Sequence, residues 1–277
     1  MPPAVGRIGF HVAVVALAAL AVLRGAGLVA CPAWALGAAA LLLALTLFTA
    51  LYFPWCGLFG RPLRRVPAAR GRCALTFDDG PDPVATPAVL AALARRGHRA
   101  TFFVIGERAQ AAPEVVRAIV AAGGTLGNHT QRHSWLTPFY GPRRVRAELE
   151  AATAAIVAAG GAAARPRFAR PPVGLLGPWF ALGAAAAGLQ LVAFSTRAAD
   201  ASLVPLGRER VLRRVARGLR DGAIIALHDG AELRGRPAPA PALIEAVLDL
   251  VEARGLRSVT LEELGATSPP SASGAAG

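Results

Sequence analysis

The sequence predicts a parallel α/β domain behind an N-terminal membrane hairpin. Three observations carry that prediction. From Arg72 onward, short runs rich in β-branched and aromatic residues alternate with longer Ala/Leu/Arg-rich runs of helical character. Glycines at Gly97, Gly123, Gly160, Gly188, Gly222 and Gly255 punctuate these runs where helices end. The hydrophobic fraction of 54% exceeds the ~45–50% of soluble chains, and the excess is concentrated before residue 56.

Taken in chain order, Ile8–Leu23 is a first apolar run holding His11 and followed by Arg24. It reads as a first span, a re-entrant segment or the apolar part of a signal peptide; the second apolar run that follows at once argues against cleavage. That second run, Ala33–Trp55 (AWALGAAALLLALTLFTALYFPW), carries no charge and is long enough for a hydrocarbon core of about 30 Å. Trp34 at one end and Tyr52 and Trp55 at the other stand where aromatic belts form. The expected organisation is a two-helix anchor over residues 1–57 (helices at 8–23 and 33–55), a basic linker over 58–71, a catalytic domain over 72–265 and a disordered tail over 266–277.

Seven strands are expected in the domain: Cys73–Phe77, Ala100–Ile105, Gly124–Asn128, Arg167–Arg170, Leu189–Ser195, Ala223–Leu227 and Leu256–Leu261. Helices are expected between them, at about residues 84–96, 107–122, 142–160, 174–187, 207–220 and 239–254. Strands joined by crossover helices make a parallel sheet. An open doubly wound sheet and a closed barrel fit this pattern equally well.

Net charge is +13, and every basic residue is arginine. The arginines are scattered over the expected helices without interleaved aromatics, and no zinc finger or RNA-binding sheet motif appears, which excludes a nucleic-acid partner. Contact with a membrane surface fits better. Cys31, Cys56 and Cys73 form no Cys-x-x-Cys pair and no disulfide framework.

Chemistry-bearing residues gather at the carboxyl ends of the strands, where α/β folds place their sites. The first strand ends in Asp78-Asp79-Gly80-Pro81, the third in Asn128-His129-Thr130-Gln131-Arg132-His133, the fourth in Arg170-Pro171-Pro172; Asp200 follows the fifth, and His228-Asp229 ends the sixth. Two adjacent acids repel, so a strand that ends on both needs a reason beyond an Asx turn that solvates them. His129 and His133, spaced i and i+4, point the same way if they share a helical turn and then suit a divalent metal. Two histidines and one strand-end carboxylate leave coordination positions open, which is a catalytic arrangement.

Together TFDDGPD at 76–82, NHTQRH at 128–133, ARPPVG at 169–174, Asp200 and IIALHD at 224–229 resemble the metal-dependent polysaccharide deacetylases, carbohydrate esterase family 4, over about residues 72–264. The resemblance implies a distorted (β/α) barrel of about seven strands. It implies hydrolysis of the N-acetyl group of amino sugars in a polysaccharide or cell-wall glycan. Asp79, His129 and His133 resemble the metal ligands, with zinc the first expectation and cobalt, nickel or manganese also suited. Asp78 resembles the general base, Arg170 the residue that holds it, and His228 the general acid oriented by Asp200. The backbone N–H of Val173 and the metal would stabilise the oxyanion, and Leu227 would line the acyl pocket. Ala201 stands where the family usually has Trp, which removes one wall of the sugar site. Asp82 is expected to cap its turn, Asp229 to support the site from behind, and His98 and His11 to be structural.

The substrate stays open between a finished glycan and a lipid-linked amino sugar, with an inactive anchored glycan-binding protein as the contrasting class. Five arginines between Arg61 and Arg72 follow the second apolar run, so the charge rule puts the domain on the cytoplasmic side of the inner membrane. Finished wall glycans would require the other side. Two apolar loops near the site, Trp135–Tyr140 and Leu175–Phe180, read either as packing outside the barrel or as a rim that meets lipid.

Overall fold

The computed structural model describes residues 3–52, 56–201, 207–230 and 241–266. The Trp55 end of the second apolar run and the tail from Thr267 lie outside these. Helices α1 (Pro3–Gly25) and α2 (Ala33–Tyr52) pack against each other. Within α2, Ala33–Leu51 is long and apolar enough to cross a membrane, with mean hydropathy 2.1 and only 11% of its residues buried; the apolar part of α1, Gly9–Gly25, is shorter.

The domain then runs β1 (Arg72–Asp78), α3 (Ala85–Arg95), β2 (Ala100–Val104), α4 (Gly106–Ala111), α5 (Pro113–Ala121), β3 (Thr125–Asn128), α6 (Pro142–Gly160), β4 (Phe168–Ala169) and α7 (Phe180–Ala186). It continues through β5 (Gln190–Leu191), β6 (Thr196–Arg197), α8 (Arg208–Gly218), β7 (Ile224–His228), α9 (Pro241–Ala253), β8 (Arg257–Ser258) and α10 (Leu261–Leu264). All named strand pairs are parallel, in the order β5-β4-β3-β2-β1-β7-β6, with β8 against the start of β1.

One expected strand is corrected. Leu189–Ser195 is not continuous: β5 pairs with β4 at one edge of the sheet, the chain bends, and β6 pairs with β7 at the other. The linker enters this gap, where Leu63 donates to Leu191 O at 2.9 Å and accepts from Ala193 N at 2.8 Å. The barrel is therefore distorted and closed only through an irregular segment, a half-barrel of seven parallel strands with β8 added at its base.

Alternation along β1 and β7 sorts the side chains. Leu75, Phe77, Ile225 and Leu227 face outward and pack under α3 and α9 with Leu93, Ile244, Val247 and Leu248. Each large apolar side chain so buried contributes roughly 1.5–3 kcal/mol. Ala74 and Ile224 face inward, joining Phe103, Phe168, Leu261 and Leu264 in a plug of the barrel's amino end. α10 is held there by a capping box between Thr260 and Glu263. Thr76, Asp78 and His228 share the inward parity, so the register that pairs Asp78 with His228 brings both to the carboxyl-end mouth.

Of the two apolar loops, Leu175–Phe180 is covered. Leu176 and Phe180 are buried with Ala50, Leu51 and Phe59, Leu176 N donates to Leu51 O at 3.3 Å, and the Phe10 ring meets Phe59 edge-on at 5.5 Å. Trp135 and Phe139 remain exposed (69% and 64%), so any apolar rim belongs to that loop alone.

Candidate active site

The adjacent acids at the end of β1 face different partners because the backbone turns between them. Asp78 is the last strand residue, while Asp79 takes a left-handed conformation (φ 71°). Strand geometry would send the second carboxylate outward; the turn instead keeps both at the mouth. Gly80 follows because no side chain fits there: a Cβ would lie 2.6 Å from Asp229 Oδ1.

Asp78 pairs with Arg170, Nη1 to Oδ1 at 2.6 Å. The same guanidinium donates to Thr76 Oγ1 at 2.8 Å and Ala193 O at 3.0 Å, and lies 4.0 Å from the centre of the Phe103 ring. Arg170 is fully buried, and burial moves its pKa below the ordinary value against the pull of Asp78. Such a fork fixes the carboxylate in one orientation.

Asp79 faces the two histidines, its Oδ1 3.4 Å from His129 Nε2 and 3.0 Å from His133 Nε2. The three ligand atoms lie within 4.8 Å of one another. Burial works to raise the Asp79 pKa, but hydrogen bonding and charge from both histidines hold it well below the usual carboxylate range. Burial pushes the His133 pKa down. His129 Nδ1 lies 2.8 Å from Arg170 O, and a carbonyl only accepts, so Nδ1 carries the proton. In the neutral ring Nε2 then presents a lone pair to a carboxylate oxygen, which is repulsive unless a cation lies between them. The donor set therefore fits a divalent metal, and the Arg170 carbonyl is the outer contact that orients one ligand.

The expected helical turn for these histidines is corrected. Residues 129–136 form an irregular loop with Thr130 and His133 left-handed (φ 69° and 50°). Polar side chains build it. Asn128 Oδ1 accepts from Thr130 N at 2.9 Å, Thr130 Oγ1 accepts from His133 N at 3.2 Å, and the carboxylate of the buried Glu148 accepts from both Gln131 N and Arg132 N at 3.1 Å.

On the opposite side of Asp78, Asp200 holds His228 twice: Oδ1 lies 2.8 Å from Nδ1 and Oδ2 accepts from the backbone N at 2.9 Å. Burial, the largest single influence, opposes a charged ring, yet the charge and hydrogen bond of Asp200 with the charges of Asp78 and Asp79 together push the His228 pKa up to about 9. Nε2 is left as the ring atom able to give a proton outward. Behind them Asp229 is buried and accepts from Thr86 Oγ1 at 2.6 Å; burial pushes its pKa up to about 7.

The remaining expected residues divide. Val173 lies in a 3-10 turn, Pro172–Gly174, with φ 52°, and its N–H has no hydrogen-bond partner among the described residues. Leu227 is corrected: it faces Phe77's side of the sheet and packs in the outer layer under α9, so it lines no acyl pocket. Ala226, opposite Thr76, has the inward parity. Asp82 caps its turn by accepting from Val84 N and Ala85 N, and His98 is tied to Glu252 and Ser258 N far from the site. Thr76, Glu148 and Arg108 were missed; Arg108 donates to the Asp79 carbonyl at 2.6 Å. Only Glu148 left a trace in the sequence, as a carboxylate beside Leu149 and near Val145 and Ala152 on the apolar face of α6.

A polysaccharide deacetylase family model matches residues 65–192. A peptidoglycan-N-acetylglucosamine deacetylase of Bacillus cereus is 32% identical over 191 residues, which cover 69% of this chain and 86% of that protein. The chain belongs to the polysaccharide deacetylase family. A chitooligosaccharide deacetylase of a Bradyrhizobium species is 40% identical over 156 residues, 56% of this chain and 69% of that one. Among solved structures, a family 4 acetyl xylan esterase from Clostridium thermocellum, in complex with cobalt, superimposes with a TM-score of 0.61 at 32% identity, covering 70% and 90% of the two chains. Polysaccharide deacetylases use a divalent metal and hydrolyse N-acetyl amide bonds of sugars, and this chain is a hydrolase of that class.

Proposed function

We propose that this deacetylase removes the acetyl group from N-acetylglucosamine units of a glycan, at a membrane to which α2 anchors it. The observation that carries the reading is the division of labour between adjacent acids, Asp78 on Arg170 and Asp79 on two histidines.

Asp79, His129 and His133 would hold the metal, zinc by first expectation. A divalent cation there supplies positive charge that acidifies water and polarises the acyl carbonyl. Asp78, fixed by Arg170, accepts the proton from the attacking water. The Val173 N–H, unpartnered among the described residues, is a donor for the developing oxyanion. His228, charged and oriented by Asp200, gives the proton from Nε2 to the nitrogen as the carbon–nitrogen bond breaks. Acetate and a free amino sugar result. The test is release of acetate from N-acetylated chitooligosaccharides and from peptidoglycan by the full-length protein supplied with zinc, cobalt, nickel or manganese. No release from either, with a full complement of metal, contradicts the reading.

A lipid-linked amino sugar is the second reading, favoured by the docking of α2's end on the loop after β4, through Leu51 and Leu176. The arginines from Arg61 to Arg72 favour the cytoplasmic face for this domain. Assaying a lipid-linked N-acetylglucosamine beside the soluble oligomers separates the two substrates.

A further inference from the structure

Every pair of consecutive strands is joined by at least one helix that covers the barrel wall, except β5 and β6. There, among the described residues, no helix covers the wall, the linker runs in through Leu63, and a cavity of ≈570 Å³ opens beside it. Leu191 and Phe194 form its floor, Leu175 and Leu176 one side, α8 the other, and Arg64 of the linker reaches across.

Five guanidinium groups surround this space: Arg64, Arg197, Arg214, Arg217 and Arg220. Among the described residues, no acidic side chain lines it. Arg197 donates to Val173 O and Arg214 to Arg197 O, neutral acceptors that leave the charge unbalanced. Among the described residues, the side chains of Arg217 and Arg220 make no hydrogen bond or ion pair. At the inner wall stands Arg170, fully buried, whose Nε is a buried donor with no partner. The like charges of Arg197, Arg214, Arg217 and Arg220 around one concavity repel unless an anion joins them.

Guanidinium forks match the oxygens of a phosphate, and the four of Arg197, Arg214, Arg217 and Arg220 suit a compact, multiply charged group better than a single carboxylate. The apolar side adds a second requirement. Leu176 is bonded to Leu51 O, so the cavity lies beside the end of α2. An anion there is placed next to the helix able to cross a bilayer, at the level of lipid headgroups.

We propose that this cavity is a phosphate-binding site, filled by the phosphate of an amphiphile seated beside the end of α2. It shares Arg170 and Val173 with the edge of the reaction site but contains none of Asp78, Asp79, His129, His133 or His228, and it does not depend on the deacetylase reading. It gives the stretch of wall without a helix an occupant, and it explains why Arg214 and Arg217 of α8 face a cavity rather than an acidic partner.

The test uses the full-length protein in dodecyl maltoside, with dioctanoyl phosphatidylglycerol, dioctanoylglycerol and inorganic phosphate as probes in titration calorimetry. Wild type should bind the phosphatidylglycerol saturably, and the phosphate-free dioctanoylglycerol not at all. R217Q/R220Q, which changes only exposed side chains, should weaken that binding at least tenfold while circular dichroism and acetate release from soluble oligomers stay unchanged. Inorganic phosphate bound as tightly as the lipid, and lost in the same variant, upholds the site and identifies free phosphate as its ligand. Equal lipid affinity in wild type and variant, or binding of dioctanoylglycerol as strong as that of the phospholipid, overturns the proposal. Because the readout is binding, a failure of acetate release leaves this result standing, and the reverse.

Discussion

Replacing Asp200 by Asn tests the proton donor most sharply. The carboxylate lies 2.8 Å from His228 Nδ1 within a buried pair. With charge centres about 4 Å apart and an effective dielectric constant of about 20, the attraction is about 4 kcal/mol, or about 3 pKa units. Burial is the largest single influence and lowers the pKa; that attraction, first among the raising ones, outweighs it together with the Asp200 hydrogen bond and the charges of Asp78 and Asp79, carrying His228 up to about 9. Without it burial governs, and the pKa falls below the ordinary ~6.5. At about pH 7.5 the ring then changes from nearly all protonated to less than ~10% protonated. Turnover should fall at least about tenfold at that pH and recover on acidification. A dication at Asp79 offsets the pull of Asp78 and Asp79, lowering both curves and leaving their separation. The assay is kcat against pH on an N-acetylated chitooligosaccharide. Wild type should lose activity on an alkaline limb that D200N shifts to lower pH. Stability carries the same sign: the charged pair stabilises the fold fully below the ordinary histidine value and ceases to do so as pH rises through about 9. Superimposable alkaline limbs in the two proteins would refute the reasoning.

Three further outcomes are expected. D79N should lose its metal, whereas D78N should keep it and lose at least about a hundredfold in turnover; equal metal content by elemental analysis would contradict the separate roles. Removing Arg170 (R170A) leaves the buried Asp78 carboxylate without its partner and should cost about 3–5 kcal/mol in urea unfolding, with R170K recovering part of the stability but little turnover, since an ammonium cannot span Thr76, Asp78 and Ala193 at once. A loss in R170A within about 0.5 kcal/mol of zero would show that the pair does not hold the site. Fused after Gly277, a reporter that fluoresces only in cytoplasm should be active, and activity of an externally active reporter would reverse the proposed topology.

The strands that proved regular were legible because apolar runs and glycine breakers mark them, and the site was legible because its residues fall at strand ends. Four features were not. The split of Leu189–Ser195 depends on Leu63 entering the gap between β5 and β6, a contact more than a hundred residues distant in the chain. The left-handed turns at Asp79, Thr130 and His133 are held by partners such as Asn128 and Glu148, and residue types alone do not reveal such a loop. The family resemblance implied that Leu227 lines the pocket, whereas period-two alternation sends it and its neighbour His228 to opposite faces. Likewise the apolar loop after β4 gave no sign that Ala50 and Leu51 would cover it.

The central claim is that Asp79, His129 and His133 hold a divalent metal on which hydrolysis of the N-acetyl bond depends. The most direct measurement is acetate release by chelator-stripped protein titrated with zinc or cobalt, with bound metal quantified in the same samples. The account predicts no turnover in stripped protein, recovery that saturates at one metal per chain, and neither binding nor recovery in D79N. Undiminished acetate release from metal-free protein, or one tightly bound metal retained in D79N, would contradict it.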